Sequence, residues 1–272
     1  MNRCINSSSL IPHPSSLTSL SRRRFYAPPE SFRRDQTVLL ASDEAQHMRG
    51  VLRLKVGDEV FVFDGEGREY LCRIESLRRD EAALKLLKEV EAASPESALN
   101  LRLGLALLKG EKFDLVVQKA TELGVTSIVP VMTKLSDIRL RDERDAEKRA
   151  VRWRRIALEA AKQSGRARLP TIEEPLAFHS LLENTQPGND EWRLLFAERD
   201  GQSLAQSFEQ LSPRPQNITA LVGSEGGWTD EELQAARDAN WHIITLGGRI
   251  LRAETAAISI TALLQHLFGD LR

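Results

Sequence analysis

Apolar and polar positions change rhythm along this chain near Pro95. Ahead of it, EVFVF (59 to 63) and YLCRI (70 to 74) flank the turn Asp64 to Gly67, a pattern that predicts a β-hairpin. KVGD (55 to 58) places turn chemistry before the first of these strands. EAALKLLKEV (81 to 90) satisfies helical and strand periods alike, and its hairpin neighbours decide for strand. The polar stretch EAASPESA (91 to 98) then reads as a linker.

Beyond the linker, continuous apolar runs alternate with helical ones. LRLGLALL (101 to 108), SIVPVM (127 to 132), RLLFAE (193 to 198), ITALVG (218 to 223) and HIITLG (242 to 247) are predicted buried strands. Phe113, Val116, Val117, Ala120 and Leu123 mark one face of a helix that Gly124 stops, and a long charged helix runs from about Asp142 to Gln163. Buried strands separated by helices imply a parallel sheet covered on both faces. The expected architecture is an extension over residues 1–20, a small β domain over 21–92 and an α/β domain over 98–272.

Length and composition agree with two modest globular domains: the 272 residues carry a net charge of −1, which leaves a polyanion only a local basic patch to meet. No run approaches the roughly 20 apolar residues of a membrane span. Cys4 and Cys72 are too few for a disulfide framework or a cysteine-rich zinc site, which suits a reducing, cytoplasmic setting. Residues 1–20 are rich in serine, lack acids and contain Pro12 and Pro14, so they read as a disordered extension. A transit peptide is the competing reading, weakened by the single early Arg3 and the lack of an amphipathic pattern.

Two glycine turns leave adjacent predicted strand ends, GSEGG (223 to 227) and Gly247 with Gly248. In open α/β sheets that edge is where ligands sit. After GSEGG, Thr229 and Glu232 form a predicted capping box, with Trp228 and Leu233 as its hydrophobic staple. The first turn is then Asp230, Glu231 and Glu232, which repels a pyrophosphate, and neither GxGxxG nor a P-loop lysine is present. A ligand with little net negative charge fits better, and S-adenosylmethionine is one. Arg249, Ile250, Leu251, Arg252 and Glu254 follow the second turn, and the small, apolar final helix reads as core from Ile258 onward. Arg252 and Glu254, charged at the mouth of a buried helix, need partners or a task.

Basic residues suggest where a nucleic acid would lie. Lys148, Arg152, Arg155, Lys162 and Arg166 recur at helical spacing near Trp153, and Arg22, Arg23 and Arg24 open the β domain. Glu147 and Glu159 support the opposite reading of the helix, a solvated face with pairs four residues apart. His47, after Ser42 as a possible cap, reads as structural, and no histidine has metal-ligand spacing with it.

Taken together, RRRFY, HMRGVLRLKVGDEVFVFDGEG, KGEKFDLVVQKATELGVTSIVPV, RWRRIALEAAKQSGR, GSEGG and LGGRILRAETAAISITALLQ resemble the 16S ribosomal RNA uridine N3-methyltransferases of the SPOUT superfamily, from about Arg22 to the C-terminus. The resemblance implies a PUA-like β-barrel that engages RNA and a parallel-sheet α/β domain knotted around S-adenosylmethionine. It further implies a homodimer that acts on 16S ribosomal RNA or the small ribosomal subunit, with no metal and no membrane. Ser224 stands where the family has proline in GPEGG, and Gly248 where a bulkier residue follows LG.

Methylation at N3 needs loss of a proton, and the charge spreads over O2 and O4. Arg252 is the expected cation for it, and Glu225 or Glu254 the proton acceptor or the arginine's holder. The cofactor is expected against three strand ends: Leu195, Phe196, Ala197 and Glu198; Val222, Gly223, Ser224, Glu225, Gly226 and Gly227; Leu246, Gly247, Ile250 and Leu251, with Ala256 behind them. A related enzyme acting on tRNA or a ribose hydroxyl, and a noncatalytic RNA-binding assembly factor, stay open as alternatives.

Overall fold

The computed structural model describes residues 22–184, 191–204, 206–207 and 215–271. The expectation for residues 1–20 falls outside them.

The N-terminal unit is one curled sheet built from β1 (Arg24–Tyr26), β2 (Thr37–Leu40), β3 (Glu59–Phe63), β4 (Glu69–Leu77) and β5 (Ala82–Val90). Its order is β1-β3-β4-β5-β2, antiparallel except where β1 runs beside β3. The predicted hairpin is β3 and β4, in register from Glu59 with Arg73 to Phe63 with Glu69. Residues 82–90 are strand because both edges of β5 find partners and Ala82 and Leu84 fall on the buried face. Register shifts in β4 bend the sheet around a core of Phe25, Val38, Met48, Val60 and Val62. Helix α1 (Ser42–Gln46) has Ala41, not Ser42, at its N-cap, with no side-chain cap bond. The exposed His47 ring meets the buried Phe25 edge-on at 6.1 Å between centroids, a packing contact at the rim of the core.

The second unit holds β6 (Asn100–Ala106), β7 (Ser127–Met132), β8 (Thr171–Ile172), β9 (Leu176–Ala177), β10 (Glu191–Phe196), β11 (Gln202–Ser203), β12 (Asn217–Val222) and β13 (His242–Thr245). Helices α2 (Lys112–Glu122), α3 (Glu143–Ser164), α4 (Phe178–Asn184), α5 (Asp230–Asp238) and α6 (Ala253–Phe268) surround them. Every strand pair is parallel, in the order β11-β13-β10-β12-β6-β7-β8, with β9 also on β7. The late strands β12 and β13 flank the earlier β10 on opposite sides, a crossed order that suits the knotted α/β domain. One face packs Leu103, Leu105, Phe113, Val116, Trp153 and Ile260; the other packs Val131, Leu195, Leu221, Trp228 and Leu233. The carboxyl ends of β13, β10 and β12 therefore lie side by side.

The linker is a packed joint. Ala93 donates its N–H to Glu69 at 2.8 Å, Ser94 to the Gly165 carbonyl at 3.1 Å, and Leu169 to the Gly65 carbonyl at 2.9 Å. Glu69 is fully buried against Arg24, whose guanidinium also donates to the carbonyls of Ala161, Lys162 and Arg166 at the end of α3. A polar sequence became rigid because its backbone groups found partners in both domains. No helix among the described residues is long and apolar enough to cross a membrane.

Candidate functional site

The three neighbouring strand ends, the two glycine turns and the start of α6 enclose a cavity of about 570 Å³. That is ample for a nucleoside-sized ligand, since small-molecule sites span roughly 300–1,000 Å³. Local chemistry shapes the first turn. Gly227, at a φ of +70°, donates its N–H to the Ser224 carbonyl at 3.0 Å, and the Trp228 indole donates to the Phe196 carbonyl at 2.9 Å, tying the turn to the adjacent strand. A side chain on Gly223 would meet that indole at 3.1 Å.

The predicted capping box is complete: Glu232 N–H to Thr229 at 3.2 Å and Thr229 N–H to Glu232 at 3.0 Å. The second Glu232 oxygen accepts from the Lys134 N–H at 2.8 Å, which pins the loop after β7 beside GSEGG. In the second turn Gly247 and Gly248 have φ of +79° and +60°, and Arg249 donates its N–H to the Gly247 carbonyl at 2.8 Å. The glycines of both turns thus present backbone to the cavity.

Charged groups gather at its mouth. Lys112 Nζ lies 2.8 Å from Glu225 and 3.8 Å from Glu254, while Arg252, exposed at the N-cap of α6, lines the same cavity. The Glu225 hydrogen bond raises the Lys112 ammonium above its ordinary value. Burial pushes the Glu225 carboxyl up, but the Lys112 ammonium and the backbone N–H groups of Glu225 and Lys109 outweigh it, leaving the carboxyl below its ordinary value. Two polar atoms of the lining, Ser224 Oγ and Thr245 Oγ1, are shut off from solvent with no hydrogen-bond partner among the described residues. Glu254, expected at the site, lies outside the lining, its buried Oε2 3.8 Å from Lys112 Nζ. Buried orphans are uncommon and point to a missing ligand.

Of the residues expected around the cofactor, Phe196, Ala197 and Glu198 line the cavity from β10, and Val222, Gly223, Ser224, Glu225 and Gly227 from β12. Leu246, Gly247, Ile250, Leu251 and Ala256 line it from the second turn and α6. Leu195 does not: alternate strand residues face opposite ways, and it is fully buried in the cluster on the other face of the sheet. Gly226 does not either, because its α-carbon faces Leu135, whose Cβ is 2.8 Å from where a side chain would start. Lys112, Trp228, Thr245 and Arg249 line the cavity beyond the expected set. Thr245 and Arg249 carried a signal, since they border the second glycine turn; Lys112 carried none in its local pattern.

The expected RNA residues divide. Arg24 is part of the domain joint, Arg166 is 3% exposed with its guanidinium on Glu96 and the carbonyls of Thr121 and Val125, and Lys162 is paired with Glu44. Arg24 and Lys162 hold the domains together and Arg166 ties the linker to the α/β domain, instead of facing a phosphate, because the end of α3 abuts the β domain and the linker. Arg152 binds Asp114 at 2.5 Å but keeps an exposed side chain, and Arg22 lies 4.6 Å over the Phe61 ring. Arg23, Lys148 and Arg155 are exposed.

Residues 95–265 match the family described as the RNA methyltransferase domain, and residues 40–87 match the RNA methyltransferase PUA domain. Ribosomal RNA small subunit methyltransferase E of Synechocystis is 33% identical over 222 residues, covering 82% of this chain and 70% of its own. The crystal structure of ribosomal RNA small subunit methyltransferase E from Neisseria gonorrhoeae bound to S-adenosyl methionine superposes with a TM-score of 0.81 at 33% identity, covering 92% of this chain and all (100%) of the other. A Legionella pneumophila protein solved with its cofactor SAM also reaches 0.81, at 28% identity over 92% of this chain and 99% of that one.

Proposed function

Since this chain belongs to the RNA methyltransferase family typified by ribosomal RNA small subunit methyltransferase E, we propose that it transfers a methyl group from S-adenosylmethionine to N3 of a uridine in 16S ribosomal RNA, as a knotted enzyme of the SPOUT superfamily. The observation that carries the reading is the cavity at three parallel strand ends, with Arg252 and the Lys112–Glu225 ion pair in its lining. The cavity fits the cofactor: backbone lines it, Phe196, Val222 and Ile260 give it apolar walls, and orphaned hydroxyls await hydrogen bonds. When bound, S-adenosylmethionine supplies an electrophilic methyl on a sulfonium.

The chain's own residues then have distinct tasks. Of the two carboxylates facing Lys112, Glu225 lines the cavity and Glu254 does not, so Glu225 is the one that takes the N3 proton. Arg252 stabilises the charge that develops on the uracil oxygens. Arg22, Arg23, Lys148, Arg152 and Arg155 hold phosphates, which orients RNA without reading sequence. A second copy of the chain covers α6, where Thr255, Leu263 and His266 are exposed on a largely apolar helix next to the 82% exposed Ile250. Primer extension on ribosomal RNA tests the reaction, because N3 methylation blocks base pairing and stops the polymerase. Deleting the gene removes one stop in small-subunit RNA; an unchanged pattern of stops refutes the proposal.

A further inference from the structure

We infer that Glu198 is the ribose-binding residue of the cavity, its carboxylate accepting hydrogen bonds from the 2′- and 3′-hydroxyls of the bound nucleoside. The inference rests on the cofactor reading above and assigns one residue a task within it.

Strand order sets three chemistries side by side along the cavity. The strands run β13-β10-β12 at this edge, and each sends a different kind of group to the lining. Beyond β13, the second turn and α6 bring Leu246, Leu251, Ala256 and Ile260 together with the open backbone of Gly247 and Gly248. A flat apolar ring edged with hydrogen-bonding nitrogens suits that wall, which makes it the adenine side. Beyond β12, the first turn brings Glu225, held by Lys112 at 2.8 Å. Charged side chains suit the ammonium and carboxylate of the methionine end. The ribose joins the two ends of the molecule, so it falls over the strand between them, β10.

From β10 the cavity receives Phe196, Ala197 and Glu198. The first two side chains form no hydrogen bonds, the Phe196 carbonyl already accepts from the Trp228 indole at 2.9 Å, and the Ala197 N–H donates to the Ile244 carbonyl at 2.9 Å. Among the side chains of this strand end, only the Glu198 carboxylate is left to meet a vicinal diol. Its two oxygens match two adjacent O–H donors, the arrangement by which an acidic residue takes ribose in dinucleotide folds.

The loop around Glu198 is fastened while Glu198 is not. Arg199 pairs with Asp230 at 2.7 Å and the Asp200 carbonyl accepts from Arg237 at 3.5 Å, which ties the loop to α5. Glu198 itself has no hydrogen bond or ion pair among the described residues. The lining holds two carboxylates, and Glu225 is committed to Lys112, so Glu198 is the one whose acceptors are open to a ligand.

Calorimetry on the full-length protein tests this without methyl transfer. The ligands are S-adenosylhomocysteine, 5′-methylthioadenosine, which lacks the amino-acid end, and 2′-deoxy-5′-methylthioadenosine. Wild type is expected to bind the 2′-deoxy compound about tenfold more weakly than its parent, the size of a hydrogen bond to a charged acceptor. Glu198→Ala should weaken 5′-methylthioadenosine and S-adenosylhomocysteine by the same factor, about tenfold, and bring the parent and 2′-deoxy compounds within about twofold of each other. Glu198 is exposed, so the change leaves the core intact, and thermal melting verifies this. Unchanged affinities in Glu198→Ala overturn the inference, as does discrimination against the 2′-deoxy compound that survives the change. A loss confined to S-adenosylhomocysteine also overturns it, by giving the carboxylate to the ammonium. A wild type that binds none of these ligands overturns the cofactor reading itself, and the inference falls with it.

Discussion

Replacing Arg24 by Met separates two physical roles for the basic cluster at the start of the β domain. The Arg24 side chain is 5% exposed and Glu69 is fully buried. The guanidinium donates to Glu69 at 3.0 and 3.4 Å and to the carbonyls of Ala161, Lys162 and Arg166 at 3.3, 3.2 and 3.0 Å. Losing one partner of a buried pair costs about 3–5 kcal/mol, because the other charge is left without compensation. Here Glu69 keeps the Ala93 N–H at 2.8 Å and Arg22 at 3.8 Å, which places the expected loss at the lower end, about 3 kcal/mol.

The double change Arg24→Met with Glu69→Met removes both charges, and its expected cost lies below the sum of the two single changes by about 2 kcal/mol or more. Urea unfolding supplies the measurement. All four tryptophans lie outside the N-terminal sheet, so their fluorescence follows the α/β domain while circular dichroism follows both domains. A loosened joint should make the two transitions separate. If Arg24 instead served RNA, Arg24→Met would leave stability intact and reduce the salt dependence of RNA binding by about one phosphate contact. A loss under about 1 kcal/mol, or additivity within about 0.5 kcal/mol, refutes the joint.

Three further outcomes follow from the same geometry. Arg252→Ala should abolish methyl transfer while cofactor affinity stays within about tenfold, since the charge it answers develops only during reaction; near wild-type turnover would remove it from the mechanism. Glu225→Gln should lower kcat by about 10²-fold or more and Glu254→Gln, outside the cavity lining, by distinctly less, and single-turnover rates that rank the other way would give the proton to Glu254. Burial pushes the Cys72 thiol up to about 12, so it stays protonated at neutral pH and should resist iodoacetamide at pH 8 until the β domain unfolds. Rapid labelling of folded protein would contradict that.

Much of the fold was legible because its signals are local. The hairpin at Asp64 to Gly67, the helix face from Phe113 to Ala120, and the capping box of Thr229 and Glu232 each need only residues within a turn or two. The glycine turns foretold the cavity, because a strand end followed by positive φ exposes backbone wherever it occurs. Leu195 was misplaced although the information was present: the period of two that puts Phe196 at the cavity sends its neighbour to the other face.

The rest depended on where the chain returns to itself. Arg24 and Arg166 look like surface cations in any window, and only the meeting of the end of α3 with the β domain for the one, and with the linker for the other, makes them struts. The linker became a joint for the same reason. Lys112 and Glu225 share no local pattern, and their 2.8 Å contact exists because the parallel order places the ends of β6 and β12 together. Sequence alone determined the elements, the acidic first turn that excludes a pyrophosphate and the edge on which a ligand sits. Tertiary structure decided which charges are partnered, because Coulomb and hydrogen-bond energies act across space and ignore distance along the chain.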